Sequence, residues 1–333
     1  MKMIVKDAVS RRRMVTGTAG LAASLACPAL RAQVPPLARI VIGSGPGSAI
    51  DVLARRVAEK LQAGYAAAVV VENKTGASGQ LAVGAVKAAP ADGLTLLLVP
   101  TPYMAIFPHT YKKLPYKPDE DFIAVSRAAT LNLGLAVGPA VPPEVKGLRD
   151  FAAWCRENPA KASFGSPAAG STPHFAGVML ARAANFRLEH VPYRGPTPAV
   201  QDMVGGQIAA ACTAIGDVHS FAAAGKCRLL GTSGARRSRF APDIATFAEQ
   251  GIGDVVIEDW FGFFLAAGTP AAQIGRASTA LRAALGRPDI QQAMEQSCLE
   301  VQGSTPEAFS AQVKADTARW APVVKAIGFT ADS

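Results

Sequence analysis

Three times along this chain a short apolar run ends in a Gly- and Ser-rich loop that leads directly into a helical pattern. Arg39-Ile40-Val41-Ile42 precedes Gly43-Ser44-Gly45-Pro46-Gly47-Ser48, after which Ile50, Leu53, Val57, Ala58 and Leu61 recur at helical spacing. Asn73-Lys74-Thr75-Gly76-Ala77-Ser78-Gly79 stands between a strand at 68–72 and a helix at 79–88. Gly165-Ser166-Pro167-Ala168-Ala169-Gly170-Ser171-Thr172 stands between a strand at 161–165 and a helix at 173–185, with Pro173 suited to the first turn and Ser171 or Thr172 to the cap. Strand, loop and helix in that order give parallel strands joined by crossover helices. Each loop also sets backbone N–H groups and the positive end of a helix dipole at the carboxyl edge of the sheet. Helix capping explains any one of these loops alone. Three of them predict a cleft lined by N–H and hydroxyl donors, suited to an oxygen-rich anion.

The alternation continues beyond these loops. The turn Pro90-Ala91-Asp92-Gly93 announces a strand at 94–99, 101–121 is rich in loops, and Phe122 to Val137 reads as extended chain. A second series brings a helix near 147–157, a strand at 188–192, a helix at 197–204 and strands at 207–213 and 227–232. Beyond Thr269 the pattern is mostly helical, with a cap and acid at Ser304-Thr305-Pro306-Glu307. Two such series predict an α/β protein of two lobes, 33–135 with 260–333 and 136–259. Ligands of open α/β sheets collect outside the carboxyl ends of the strands, which a two-lobed molecule turns toward its inter-lobe cleft.

Residues 1–32 read as an export signal. Ser10-Arg11-Arg12-Arg13-Met14-Val15 precedes an apolar stretch from Met14 to Ala26, and Ala32 is a small residue suited to cleavage. The arginines give twin-arginine character, with general secretion as the alternative route. The apolar stretch is too short for a good membrane span. Ser24 stands where a lipid anchor on Cys27 requires an aliphatic residue, so no anchor is expected. Removing these residues takes away six bases and one acid and lowers the net charge from +9 to +4 over 301 residues. That balance suits acidic ligands, but without a basic stripe interleaved with aromatics it gives no case for nucleic acid. Cys155, Cys212, Cys227 and Cys298 remain, widely spaced in a chain long enough to bury its own core. Free buried thiols are expected, with a Cys212–Cys227 bridge as the alternative.

The residues of known chemistries are mostly missing. Gly43-x-Gly45-x-Gly47 with Glu72 approaches a dinucleotide fingerprint, but Ser48 stands where the third glycine belongs and no Lys-Ser or Lys-Thr completes a P-loop. An exported nucleotide-dependent oxidoreductase is the enzymatic alternative. His109, His174, His190 and His219 lack metal-ligand spacing, and Gly231-Thr232-Ser233-Gly234 has the wrong spacing for a nucleophile elbow. No catalytic residue, metal or cofactor is expected. His174 either lines the cleft or, as the simpler reading, is a structural or surface histidine. Asp217 either accepts a hydrogen bond from a ligand or caps the helix that follows it. Trp260-Phe261-Gly262-Phe263-Phe264 reads as an apolar crossing strand with Trp260 bordering the cleft.

Several stretches, in this order and spacing, resemble the extracytoplasmic solute-binding receptors of tripartite tricarboxylate transporters, also called Bug proteins. They are Gly45-Pro46-Gly47-Ser48 with Asp51-Val52-Leu53-Ala54-Arg55, Val71-Glu72-Asn73 with Gly76-Ala77-Ser78-Gly79, and Tyr111-Lys112-Lys113-Leu114-Pro115-Tyr116. His190-Val191-Pro192-Tyr193-Arg194-Gly195, Gly205-Gly206-Gln207 and Trp260-Phe261-Gly262 continue the match. The resemblance implies a two-lobed type II periplasmic-binding-protein fold with two crossing strands, acting as a monomer. It implies a small carboxylate ligand, a dicarboxylate or aromatic acid, delivered to the membrane subunits of such a transporter; use as the sensing module of a membrane sensor kinase is the alternative. Carried over to this chain, the binding positions are Ser44, Gly47, Ser48, Thr75, Gly76, Ala77, Ser166, Ser171, Thr172 and Asp217. The chain departs from many members at Ser44, where an aromatic is common, at Ile50, where Thr or Asn is, and at Thr75, where Pro is.

Overall fold

The computed structural model describes residues 35–62, 64–252 and 255–331. The signal-peptide reading falls outside them. In chain order the elements are β1 (Leu37–Ile42), α1 (Ala49–Leu61), β2 (Ala68–Asn73), α2 (Gln80–Lys87), β3 (Thr95–Pro100), a π-helical turn (Pro102–Ile106) and the short α3 (Phe107–Thr110) and α4 (Pro118–Asp121). Then come β4 (Phe122–Val137), α5 (Leu148–Glu157), β5 (Ser163–Ser166), α6 (Thr172–Ala183), β6 (Glu189–Pro192), α7 (Pro196–Val204), β7 (Ala210–Ala214), α8 (Ile215–Ala223) and β8 (Arg228–Thr232). The chain closes with β9 (Glu258–Ala266), α9 (Ala271–Leu285), α10 (Pro288–Glu295), β10 (Glu300–Val301) and α11 (Pro306–Ile327).

The apolar periodicity explains why these elements form where they do. In α1 the buried apolar set is Ile50, Leu53, Ala54, Val57, Ala58 and Leu61, one stripe that packs onto the sheet. Ile50 is therefore a core residue, 4% exposed and part of the main hydrophobic cluster. The central strand β3 is a continuous buried run, Leu96 to Val99, as a strand covered on both faces requires.

The strands follow the order β2-β1-β3-β9-β4-β7-β5-β6, with β8 and β10 also paired to β4. The long strand β4 joins the lobes: Phe122 to Asn132 run antiparallel to β9, and Leu133 to Val137 run antiparallel to β7. In lobe 1, β1 is parallel to β2 and β3, and β3 is antiparallel to β9. In lobe 2, β5 is parallel to β6 and β7. Because β3 points the way β4 runs and β7 points against it, the carboxyl edges of the two lobes face each other.

The register gives the distance between those edges. Pro100, the last residue of β3, lies opposite Phe261, which lies opposite Ala129 of β4. Ala214, the last residue of β7, lies opposite Leu133. Four residues of strand at about 3.3 Å each separate the two edges by roughly 13 Å. A small organic molecule spans that gap.

One detail differs from the sequence reading. Trp260 does not border the cleft: it is fully buried, edge-on to Phe309, with its indole N–H donating to Asp316 at 2.8 Å. Asp217 lies inside the first turn of α8, a helix that begins immediately after β7. The four cysteines are free and buried.

Candidate functional site

The first loop leaves β1 at Gly43 and enters α1 at Ser48. It is held by one buried carboxylate. Asp51, 2% exposed, accepts the Gly47 N–H at 2.9 Å, two bonds from the Arg55 guanidinium at 3.0 Å each, and one from the Asn73 amide at 2.8 Å. The same Asn73 amide donates to the Ser44 carbonyl at 3.0 Å, tying the end of β2 to the loop after β1. Burial pushes the Asp51 carboxyl up, but the Arg55, Gly47 and Asn73 hydrogen bonds outweigh it and hold it below the usual range. The Asp-Val-Leu-Ala-Arg and Val-Glu-Asn stretches are thus explained by loop support. Glu72 pairs with Arg39 and Lys74 at the sheet edge, so it is not free to bind a ribose.

Gly47 and Ser48 are partly committed to this scaffold. The Gly47 N–H is taken by Asp51, and the Ser48 hydroxyl donates to the Gly45 carbonyl at 2.8 Å. Ser44 commits only its carbonyl. The second loop, after β2, leaves Thr75, Gly76, Ala77 and Ser78 exposed. Gly76, Ala77, Ser78 and Gly79 all have positive φ, at 120°, 45°, 53° and 85°. For Ala77 and Ser78 that geometry costs about 1–3 kcal/mol each, a strain that concentrates at ligand sites. The tightness comes from below: a methyl group on Gly79 would overlap the Tyr103 hydroxyl.

In lobe 2 the loop after β5 turns its hydroxyls inward. The Ser166 hydroxyl is fully buried and bonded to the Ala168 carbonyl at 3.0 Å and the His190 Nε2 at 2.7 Å. Ser171 caps α6: its oxygen accepts the His174 N–H at 3.3 Å and its hydroxyl donates to the Ala168 carbonyl at 2.7 Å. His174 is structural. Its Nδ1 accepts the Gly170 N–H at 3.1 Å, and its ring stacks on His190 with centroids 3.8 Å apart. Burial pushes His174 down to about 4; burial and the neighbouring His174 push His190 down to about 3. Both rings are neutral at pH 7. Asp217 accepts from Thr213 and from the Ala214 N–H, which makes it a cap for α8. Burial still raises its carboxyl to about 6.

A residue the sequence reading passed over joins the two jaws. Asp259, the second residue of β9, lies opposite Leu131, midway between the facing edges, and is 5% exposed. Its neighbours are Thr101, at the end of β3, the Trp260 N–H at 3.0 Å, and Thr172, at the start of α6. The Thr172 hydroxyl lies beside Asp259 but is sealed without a hydrogen bond of ordinary geometry. Burial raises Asp259 to about 6, partly offset by these donors and reinforced by the nearby Asp316. Its acidic signature was hidden within a strongly apolar strand.

The structure therefore places Ser44, Gly47, Ser48, Thr75, Gly76 and Ala77 on the lobe 1 edge, and Ser166, Ser171, Thr172 and Asp217 on the lobe 2 edge. Among the described residues no cluster of His, Cys, Asp or Glu can hold a metal ion, and no helix is long and apolar enough to cross a membrane. A groove of about 740 Å³ between α9 and α11, lined by Phe122, Ile274, Arg282 and Val313 among others, lies away from both loops.

The family model of the tripartite tricarboxylate transporter receptors (TctC) matches residues 53–329. The protein from the tcbD-tcbE intergenic region of a Pseudomonas species is 32% identical over 95% of this chain and 94% of its own length. BugT of Bordetella pertussis is 29% identical over 93% of this chain and 94% of its own. Among solved structures, an R. palustris protein with adipate is 27% identical with a TM-score of 0.81, covering 89% of this chain and 98% of its own. MatC of Rhodopseudomonas palustris with bound malate is 26% identical with a TM-score of 0.77, covering 87% and 99%. The two-lobed α/β fold, the facing donor loops and these matches agree: the chain belongs to the TctC family of tripartite tricarboxylate transporter receptors, solute-binding proteins and not enzymes.

Proposed function

We propose that this protein works in the periplasm, where it captures a small organic carboxylate between its lobes and delivers it to the membrane subunits of a tripartite tricarboxylate-type transporter. The observation that carries this reading is the pair of Gly- and Ser-rich loops on facing sheet edges roughly 13 Å apart, four strand residues at about 3.3 Å each. The structural relatives solved with adipate and malate support the dicarboxylate class. The lobes are taken as 33–135 with 260–333 and 136–259, and β4, which changes partner after Asn132, supports that division. Binding rests on charge-assisted hydrogen bonds from backbone N–H groups and the uncommitted hydroxyls, each contributing on the order of 1.5–3 kcal/mol. The protein acts as a monomer.

Mass spectrometry of ligand released from the purified mature protein, followed by a thermal-shift screen of carboxylates, tests this. A saturating acid at about a hundred times its Kd stabilises the fold by about 2.7 kcal/mol. A screen flat for every acid and positive for a nucleotide would overturn the reading.

A further inference from the structure

We propose that the Tyr103 hydroxyl is a ligand-binding donor of lobe 1, bonding a carboxylate oxygen of the captured acid; this rests on the carboxylate reading of the cleft. Tyr103 belongs to the π-helical turn after β3 and is 9% exposed. Its hydroxyl ends at the carboxyl edge of lobe 1, between the two loops of that jaw. A methyl group on Gly79 would overlap it, and one on Gly43 would sit 3.0 Å from it. The two glycines are thus the places where the loops make room for this oxygen.

One neighbour holds the ring directly and two more support it indirectly. It stacks on Phe107 at 5.2 Å between centroids, and Tyr111 packs edge-on against Phe107 at 5.0 Å. The Tyr116 hydroxyl donates to the Tyr103 carbonyl at 2.7 Å. The Tyr111-to-Tyr116 stretch therefore acts as a positioning element for Tyr103. What the phenol lacks is a partner: among the described residues its hydroxyl makes no hydrogen bond. Unlike the sealed Thr172 hydroxyl, this oxygen is open to solvent, so a partner from outside the chain can reach it. Burial raises its pKa well above the usual phenol range, so it stays a neutral donor and does not repel an anion.

Binding of malate, adipate and the acids of intermediate and longer chain to refolded, ligand-free protein tests the assignment by calorimetry. Tyr103→Phe keeps the ring and removes the oxygen. The expected result is an unchanged melting temperature without ligand and affinity weaker by about tenfold or more for the best acid, the loss of one hydrogen bond to a charged group. Equal affinity in the variant and the wild type overturns the role of Tyr103 and leaves the carboxylate cleft standing. Wild-type protein that binds none of the acids overturns the carboxylate reading, and this inference with it. A second measurement needs no variant: the acid perturbs the near-ultraviolet tyrosine band of the wild type on binding, and a flat difference spectrum under saturation overturns the contact.

Discussion

Two pairs of titratable groups make opposite demands on stability, and replacing one pair should expose the other. His174 and His190 are held at about 4 and about 3, below the ordinary 6.5. As pH falls below 6.5, the unfolded chain binds protons that the folded one refuses, so stability falls. Asp217 and Asp259 are raised from 3.8 to about 6. As pH falls through 6, the folded chain binds protons that the unfolded one has released, so stability rises. Each group changes stability by about 1.36 kcal/mol per pH unit inside its window. From pH 6.5 to 5 His174 removes roughly 2 kcal/mol, and His190, only half-buried and screened by solvent, about half that. Between pH 6 and 5 the two carboxyls return about 1.4 kcal/mol each. The ligand-free wild type is therefore expected to be nearly flat across this range. His174→Asn with His190→Gln keeps an acceptor for the Gly170 N–H and a donor to the Ser166 hydroxyl oxygen but cannot titrate. Its stability should rise by roughly 2–3 kcal/mol from pH 6.5 to 5, measured by urea unfolding at each pH. Asp259→Asn should tilt the profile the other way. Curves for both variants that run parallel to the wild type would refute the reasoning.

Three further outcomes follow from named contacts. Ser171→Ala removes the cap of α6 and should lower stability by about 1 kcal/mol in thermal or urea unfolding. Asn73→Ala frees the Ser44 carbonyl and one lone pair of Asp51 together, and should cost about 1–2 kcal/mol and expose the 43–48 loop to proteolysis. Gly177→Ala drives a methyl group into the Phe164 ring and should cost about 1–3 kcal/mol, seen as a lower midpoint without a change in denaturant slope.

The parts of this molecule that rest on local rules are readable in the sequence. The strand–loop–helix junctions, the Ser171 cap and the uninterrupted strand from Phe122 to Val137 all follow from spacing, turn residues and apolar runs. What could not be read is where each polar atom goes, because that depends on elements distant in sequence. His174 and His190 meet only because β6 lies beside β5 while α6 starts from the end of β5. Trp260 was expected at the cleft, but the alternation of β9 turns it toward Phe309 and Asp316. Tyr103 sits in a stretch read as loop, and a π-helical turn carries no periodic signal that would give it away. Asp259 follows Glu258 at the start of an apolar strand and carries no motif, and only the register shows it midway between the lobes.

The two jaws differ in how far the needs of the fold and of a ligand overlap. In lobe 2 the Ser166 and Ser171 hydroxyls are bonded to the loop itself and Thr172 is sealed beside Asp259. Removing any of them alters the loop before it alters a ligand contact, so weaker binding in such a variant mixes two causes. In lobe 1 the supports are the Asp51 carboxylate, the Asn73 amide and the Gly45 carbonyl, which leave the Ser44 hydroxyl and the exposed Thr75 without structural duty. Substitution there changes donors without changing the scaffold. Ser44→Ala should thus leave ligand-free stability within about 0.5 kcal/mol of wild type, as surface changes generally do. A drop in carboxylate affinity in that variant reads directly as a lost contact, whereas the same drop in Ser171→Ala must first be corrected for the lost helix cap.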